Sequence, residues 1–212
     1  MSTDGMMTLT LEKNGLDSLM KAASFLQKVK TDPFALKWFI LAVHSSLHNF
    51  MLAALAGSAQ QGVWEFRTDK KGKTKEFVEY RADGSIDVFH SKNRLMPFLQ
   101  AYDQIKMPAK MCKYVHSRAF TAEHKHDEAM RFLNEGLRNA LVHLIPATYV
   151  MTHGYIAKCM PVLDVLEFLL FDSGQTVLLF AKGNPGEVHK KIKYMRSRLK
   201  ILQTSASIDS SE

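Results

Sequence analysis

The 212-residue sequence predicts a mainly α-helical domain carrying one small β-meander. Three observations lead there. Apolar residues recur at helical spacing along most of the chain, as in Leu16, Leu19, Ala23 and Leu26. An apolar run over 34–56 is long enough for a helix of about six turns. Only 63–90 departs from this pattern, with alternating side chains between turn-rich segments. A 46% hydrophobic content in a chain of this length provides for a real core. The reading is one helical domain over 1–204 with the meander inserted at about 63–90, then a polar, disordered tail over 205–212.

Taken in order, 16–30 is the first helix. Thr31-Asp32-Pro33 stops it and starts the next, because Asp32 can cap and Pro33 suits a first helical position. The second helix covers 33–56 and Gly57 ends it. This run has the length of a membrane span, but Lys37, His44, Ser45, Ser46, His48 and Asn49 interrupt it, so a core helix is expected and no membrane. His44 and His48 lie one turn apart without a third ligand nearby. They read as satisfied, partly buried side chains or as support for an active site.

The meander follows a loop over 57–62. Segments 63–67, 76–80 and 85–89 alternate, and the turns around Gly72 and Gly84 separate them. Lys70, Lys71, Lys73 and Lys75 make its tip basic, either as a solvated turn or as an arm that contacts phosphate. Helical spacing resumes over 95–105 until Met107-Pro108 breaks it, and 110–119 reads as another short helix. Cys112, His116, His124 and His126 fit no standard zinc spacing, so neither a metal nor another cofactor is expected. A helix over 127–144 comes next, then an apolar, helical stretch over 147–171 with a kink at Pro161. The run 176–180 is a strand or a helix extension, and Gly183-Asn184-Pro185-Gly186 is a break. The last helix, 187–202, sets Lys190, Lys191, Lys193, Arg196, Arg198 and Lys200 around Val188, Ile192, Met195 and Leu199. Its basic back is a solvated face or an RNA-backbone contact, for which Lys190, Lys191, Arg196 and Arg198 are the candidates alongside Lys70, Lys71 and Lys73.

Net charge is +7, which favours an acidic partner and nucleic acid first. The two cysteines, Cys112 and Cys159, form no paired motif and fit free thiols in a reducing compartment. The start of the chain lacks a basic segment before an apolar one, so a cytoplasmic protein is expected. The chain has no P-loop, no dinucleotide-binding glycine pattern, no Gly-x-Ser-x-Gly and no His-Glu-x-x-His.

The segment Arg138-Asn139-Ala140-Leu141-Val142-His143 carries the chemistry, close to the end of the 127–144 helix, with Pro146 beyond it as a stop. With Leu133 at the centre of the buried stripe and an advance of about 100° per residue, Arg138, Asn139 and His143 all fall off that stripe, Asn139 between the other two. Their face meets water or another chain. RNA supplies its own nucleophile, the 2′-hydroxyl. A histidine that titrates near neutral pH can take or give the proton. An arginine stays charged and grips phosphate with two donors. An asparagine can orient the imidazole or donate to a phosphate oxygen. A second pair at similar spacing, Arg118 and His124, lacks the asparagine, the preceding apolar helix and the proline, and is set aside.

This constellation resembles the HEPN superfamily, whose signature is an arginine, a polar residue that is often asparagine, a short spacer and a histidine. The resemblance extends to Asp32-Pro33-Phe34-Ala35-Leu36-Lys37-Trp38 and the apolar run after it, which is similar to the family's first long helix, and to the helix after Pro146. It implies a HEPN-like helical bundle and a metal-independent endoribonuclease acting on single-stranded RNA, with Arg138, Asn139 and His143 catalytic. It also implies a homodimer closed through the face of Arg138 and His143, as an isologous interface would do. Many members are toxins or abortive-infection effectors, so an antitoxin, protein or RNA, is a further expected partner. Other members have lost catalysis, which keeps a non-catalytic RNA- or partner-binding module, or a scaffold, as alternatives.

Overall fold

Two long helices set the frame of the computed structural model, which describes residues 9–32, 34–56, 62–68, 70–76, 78–84, 86, 93–143, 152–176 and 183–209, with side chains as far as 204. The first, α1, covers Leu11–Lys28, and the Thr10 hydroxyl accepts from the Lys13 amide at 3.2 Å to cap it. It begins a turn earlier than the apolar spacing indicates, because that cap lies upstream of the stripe. The second, α2, covers Ala35–Leu55. It starts two residues after the expected Pro33: Phe34 is its N-cap, without a side-chain cap, and the Asp32 carboxylate accepts from the Phe34 amide at 2.8 Å just before it. The two pack closely: a Cβ on Gly15 would stand 3.1 Å from the Phe50 ring. Leu19, Ala22, Ala23 and Leu26 of α1 meet the core side of α2, where Phe39, Ile40, Val43, Leu47, Phe50 and Met51 are buried.

By length and composition α2 could cross a membrane, yet here it is the central core helix. Several of its polar interruptions find partners inside the fold, though the buried Ser46 hydroxyl finds none among the described residues. Ser45 meets Ser18 across the α1–α2 contact at 3.0 Å, and Asn49 donates to the Ser45 carbonyl at 2.7 Å. The helix ends on a cation: Lys113 Nζ donates to the Leu55 carbonyl at 2.6 Å, where the helix dipole favours positive charge.

The alternating region forms a hairpin, β1 (Phe66–Thr68) with β2 (Thr74–Glu76), antiparallel in the register Phe66↔Glu76. Gly72 turns it with φ +76°. Among the described residues, the rest of the region is joined by isolated bridges, Tyr80 with Ile86 and Trp64 with Leu95. Of the strand expected over 85–89, only Ile86 lies among the described residues. Leu95 and Met96 are extended rather than helical, a correction to the reading of 95–105, because Pro97 disfavours the α conformation before it. Helix α3 therefore covers Phe98–Ile105. From it, Gln100 clamps the edge of β1, accepting from the Phe66 amide at 2.9 Å and donating to its carbonyl at 3.2 Å.

Helix α4 is a single turn, Pro108–Met111, with the proline in the first turn. The helix expected over 110–119 is otherwise absent. The chain there is held by outside partners: Lys113 caps α2, and the Arg118 amide donates to the Ser173 carbonyl at 3.1 Å. Gly174 (φ +66°) allows this approach, since a Cβ would stand 2.9 Å from the His116 carbonyl oxygen.

Helix α5 (His124–Arg131) opens on a capping box in which His126 Nδ1 accepts from the Glu123 amide at 2.9 Å. It runs on through a π-helical segment, Phe132–Arg138, into α6, Asn139–Val142. The residues explain the change of pitch. Ala129, Leu133, Leu137 and Leu141 are spaced by four, and at 3.6 residues per turn each step would carry the stripe about 40° round the helix. A π turn absorbs an extra residue. Leu133, Leu137 and Leu141 accordingly stay in the core at 1%, 0% and 7% exposure. The apolar stretch after it divides into α7 (His153–Ala157) and α8 (Val162–Glu167), with Pro161 between them, where a kink is expected. A second π segment, Phe168–Asp172, extends α8.

Helix α9 covers Pro185–Asp209 and packs on α1, α7 and α8 through Val188, Ile192, Met195, Leu199 and Leu202. It continues into the stretch expected as a disordered tail. Adding turns to a helix that is already nucleated costs little, so polar composition did not end it.

Candidate active site on the Arg138 to His143 segment

The π segment decides where the motif points. Asn134, inside it, supplies the carbonyl that the Asn139 amide donates to, five residues on. Because of that extra residue, the uniform 100° advance used on the sequence overshoots across 132–138. Arg138 and Asn139 are half-buried and His143 is exposed, while Leu137 and Leu141 face the core.

Arg138 and Asn139 come together: Nη1 of the guanidinium donates to the Asn139 side-chain oxygen at 2.8 Å. His143 lies one turn further on, where its amide donates to the Asn139 carbonyl at 2.9 Å. Asn139 thus joins the other two, by side chain on one side and by backbone on the other. At His143 the backbone leaves the helical region (φ −103°, ψ 41°), so the imidazole stands on the helix end. The expected stop at Pro146 lies outside the described residues.

Beneath the motif are two further imidazoles, both from α2. His44 Nε2–H donates to Asn134 Oδ1 at 3.0 Å, and its ring stacks on Phe98 with centroids 4.1 Å apart. His48 Nε2–H donates to the Met96 carbonyl at 2.8 Å. Burial pushes His44 down to about 4; the Asn134 hydrogen bond opposes this, and the His48 and Arg138 charges add to it. His48 is also lowered, by burial first, against the Met96 hydrogen bond and with help from Arg138. Both rings are therefore neutral donors at neutral pH. This agrees with the satisfied, partly buried reading of the pair. Asn134 was missed from sequence; an amide in mid-helix beside buried Leu133 is the signal that marks it.

The basic candidates separate. Lys70, Lys71 and Lys73 are exposed at the hairpin turn, and Lys190 is exposed on α9. Lys191 and Arg198 are half-buried. Arg196 is ion-paired within the fold. Its guanidinium donates to Asp164 at 2.7 Å and to Glu167 at 2.8 Å, tying α9 to α8. The Arg118 and His124 pair is split between a loop and the start of α5, and His124 lies 3.3 Å from Glu128. Among the described residues no group of three or more His, Cys, Asp and Glu side chains is placed to hold a metal. Cys159 is buried, which pushes its thiol up to about 12, and Cys112 is exposed.

Comparison with models of protein families, with characterised proteins and with solved structures gives no significant match to this chain.

Proposed function

We propose that this protein is a metal-independent endoribonuclease that cleaves single-stranded RNA as a homodimer, with Arg138, Asn139 and His143 as its catalytic residues. The observation that carries the reading is the joint placement of the three: arginine and asparagine hydrogen-bonded to each other, and an exposed histidine one turn on, all off the buried stripe. In this scheme a neutral His143 takes the proton of the 2′-hydroxyl, whose oxygen attacks the adjacent phosphorus. The bond to the 5′-oxygen breaks, and a protonated His143 of the partner subunit supplies the proton to that leaving oxygen. Arg138 balances charge on the pentavalent transition state. The products are a 2′,3′-cyclic phosphate and a 5′-hydroxyl. The resemblance to HEPN proteins extends the proposal to a toxin or an abortive-infection effector held in check by an antitoxin.

Incubation of the purified protein with labelled single-stranded RNA in EDTA tests this. Cleavage should persist without divalent cations.

A second reading, a non-catalytic RNA- or partner-binding module, is favoured by the half-burial of Arg138 and by the donor it spends on Asn139. Expression in a bacterial host separates the two. A ribonuclease slows growth and its His143→Ala variant does not; a binding module shows no such difference.

A further inference from the structure

We propose that His44 is a positioning residue for the Arg138 to His143 site, fixing from α2 the π-helical register that aims the motif. As a statement about catalysis this rests on the ribonuclease reading; as a statement about register it does not.

Asn134 is the link. Its carbonyl accepts the Asn139 amide across five residues, the bond that carries the π segment Phe132–Arg138 into the motif. Its side chain is held by His44 at 3.0 Å. His44 is in turn held in two ways. Its backbone belongs to the buried helix α2, and its ring stacks on Phe98 at an interplanar angle of 18°. His48, one turn on, is bound to the Met96 carbonyl, which leads into α3. The hydrogen bond from His44 therefore reaches from the buried core helix α2 to the residue whose carbonyl takes that bond. Without it, the Asn139 amide can pass to the Glu135 carbonyl, the ordinary four-residue partner. The segment after Asn134 would then turn by about one residue's worth, near 100°, against the packing of Leu137 and Leu141.

Two variants isolate the role. His44→Ala removes the donor. His44→Gln returns an N–H on a flexible side chain without the ring. In wild type the Asn139 amide bonds the Asn134 carbonyl, and a crystal structure or backbone amide shifts report that bond directly. The expected result is loss of this bond in His44→Ala and its recovery in His44→Gln. Alongside, kcat on labelled RNA should fall by about 10²-fold in His44→Ala with KM little changed. Asn134→Ala should match His44→Ala, and the double variant should lose no more than either one. A His44→Ala protein that is folded and keeps the bond from Asn139 to Asn134 overturns the proposal. If wild type itself cleaves no RNA, the ribonuclease reading fails, and His44 is judged on the register alone.

Discussion

The Arg138 guanidinium donates to the Asn139 side-chain oxygen at 2.8 Å, so the arginine that would hold phosphate is oriented by its own neighbour in sequence. That leaves the amide nitrogen of Asn139 and the other donors of Arg138 for a ligand. Asn139→Ala should cost about tenfold in kcat/KM by freeing the guanidinium. Asn139→Asp should cost more, about a hundredfold, since a carboxylate pairs with Arg138 and repels phosphate. Steady-state cleavage of labelled RNA by the two variants checks the order.

Val142 precedes His143 and is 46% exposed, an apolar side chain on the face proposed to meet a second copy. Val142→Asp should convert a dimer to monomer, because it buries an unpaired carboxylate from each subunit in the proposed contact. Analytical ultracentrifugation reads this directly, and activity should fall with the loss of dimer.

Stability should depend on pH through His44. Unfolded, its imidazole titrates near 6.5; folded, it titrates at about 4. Between those values the unfolded chain binds the proton and the folded chain does not, so stability falls as pH drops through this window. The full effect is roughly 3 kcal/mol, with His48 adding in the same direction. Urea unfolding between pH 7 and pH 4 should show a shallower decline for His44→Gln than for wild type.

Arg196 joins α9 to α8 through Asp164 and Glu167. Arg196→Ala should lower stability by about 1–2 kcal/mol, a value between exposed and buried ion pairs. RNA affinity should be unchanged, in contrast to charge removal at Lys190. Denaturant melts and filter binding on the same samples test both halves.

What the sequence disclosed follows from how local each signal is. The period of Leu19, Ala23 and Leu26 is local, as is the break at Thr31-Asp32 between the two helices, and α1 and α2 were legible from them. So was the hairpin turn at Gly72, whose positive φ a glycine supplies without strain. The fate of Arg196 was not legible, because Asp164 and Glu167 lie on another helix and a basic residue on a helix back looks the same whether paired or solvated. The motif at Arg138 to His143 was legible as residue types and order. Its aim was not, since the π register depends on His44, which is far away in sequence. The four-residue spacing of Leu133, Leu137 and Leu141 was the one local trace of it.

The central claim is that Arg138 and His143 act on RNA. Wild type, Arg138→Ala and His143→Ala, each shown to be folded, should be incubated with 5′-labelled single-stranded RNA in EDTA and the product ends identified. The account predicts 2′,3′-cyclic phosphate ends from wild type and at least about a hundredfold slower cleavage by either variant. Undiminished cleavage by both variants, or no cleavage by wild type, would contradict it.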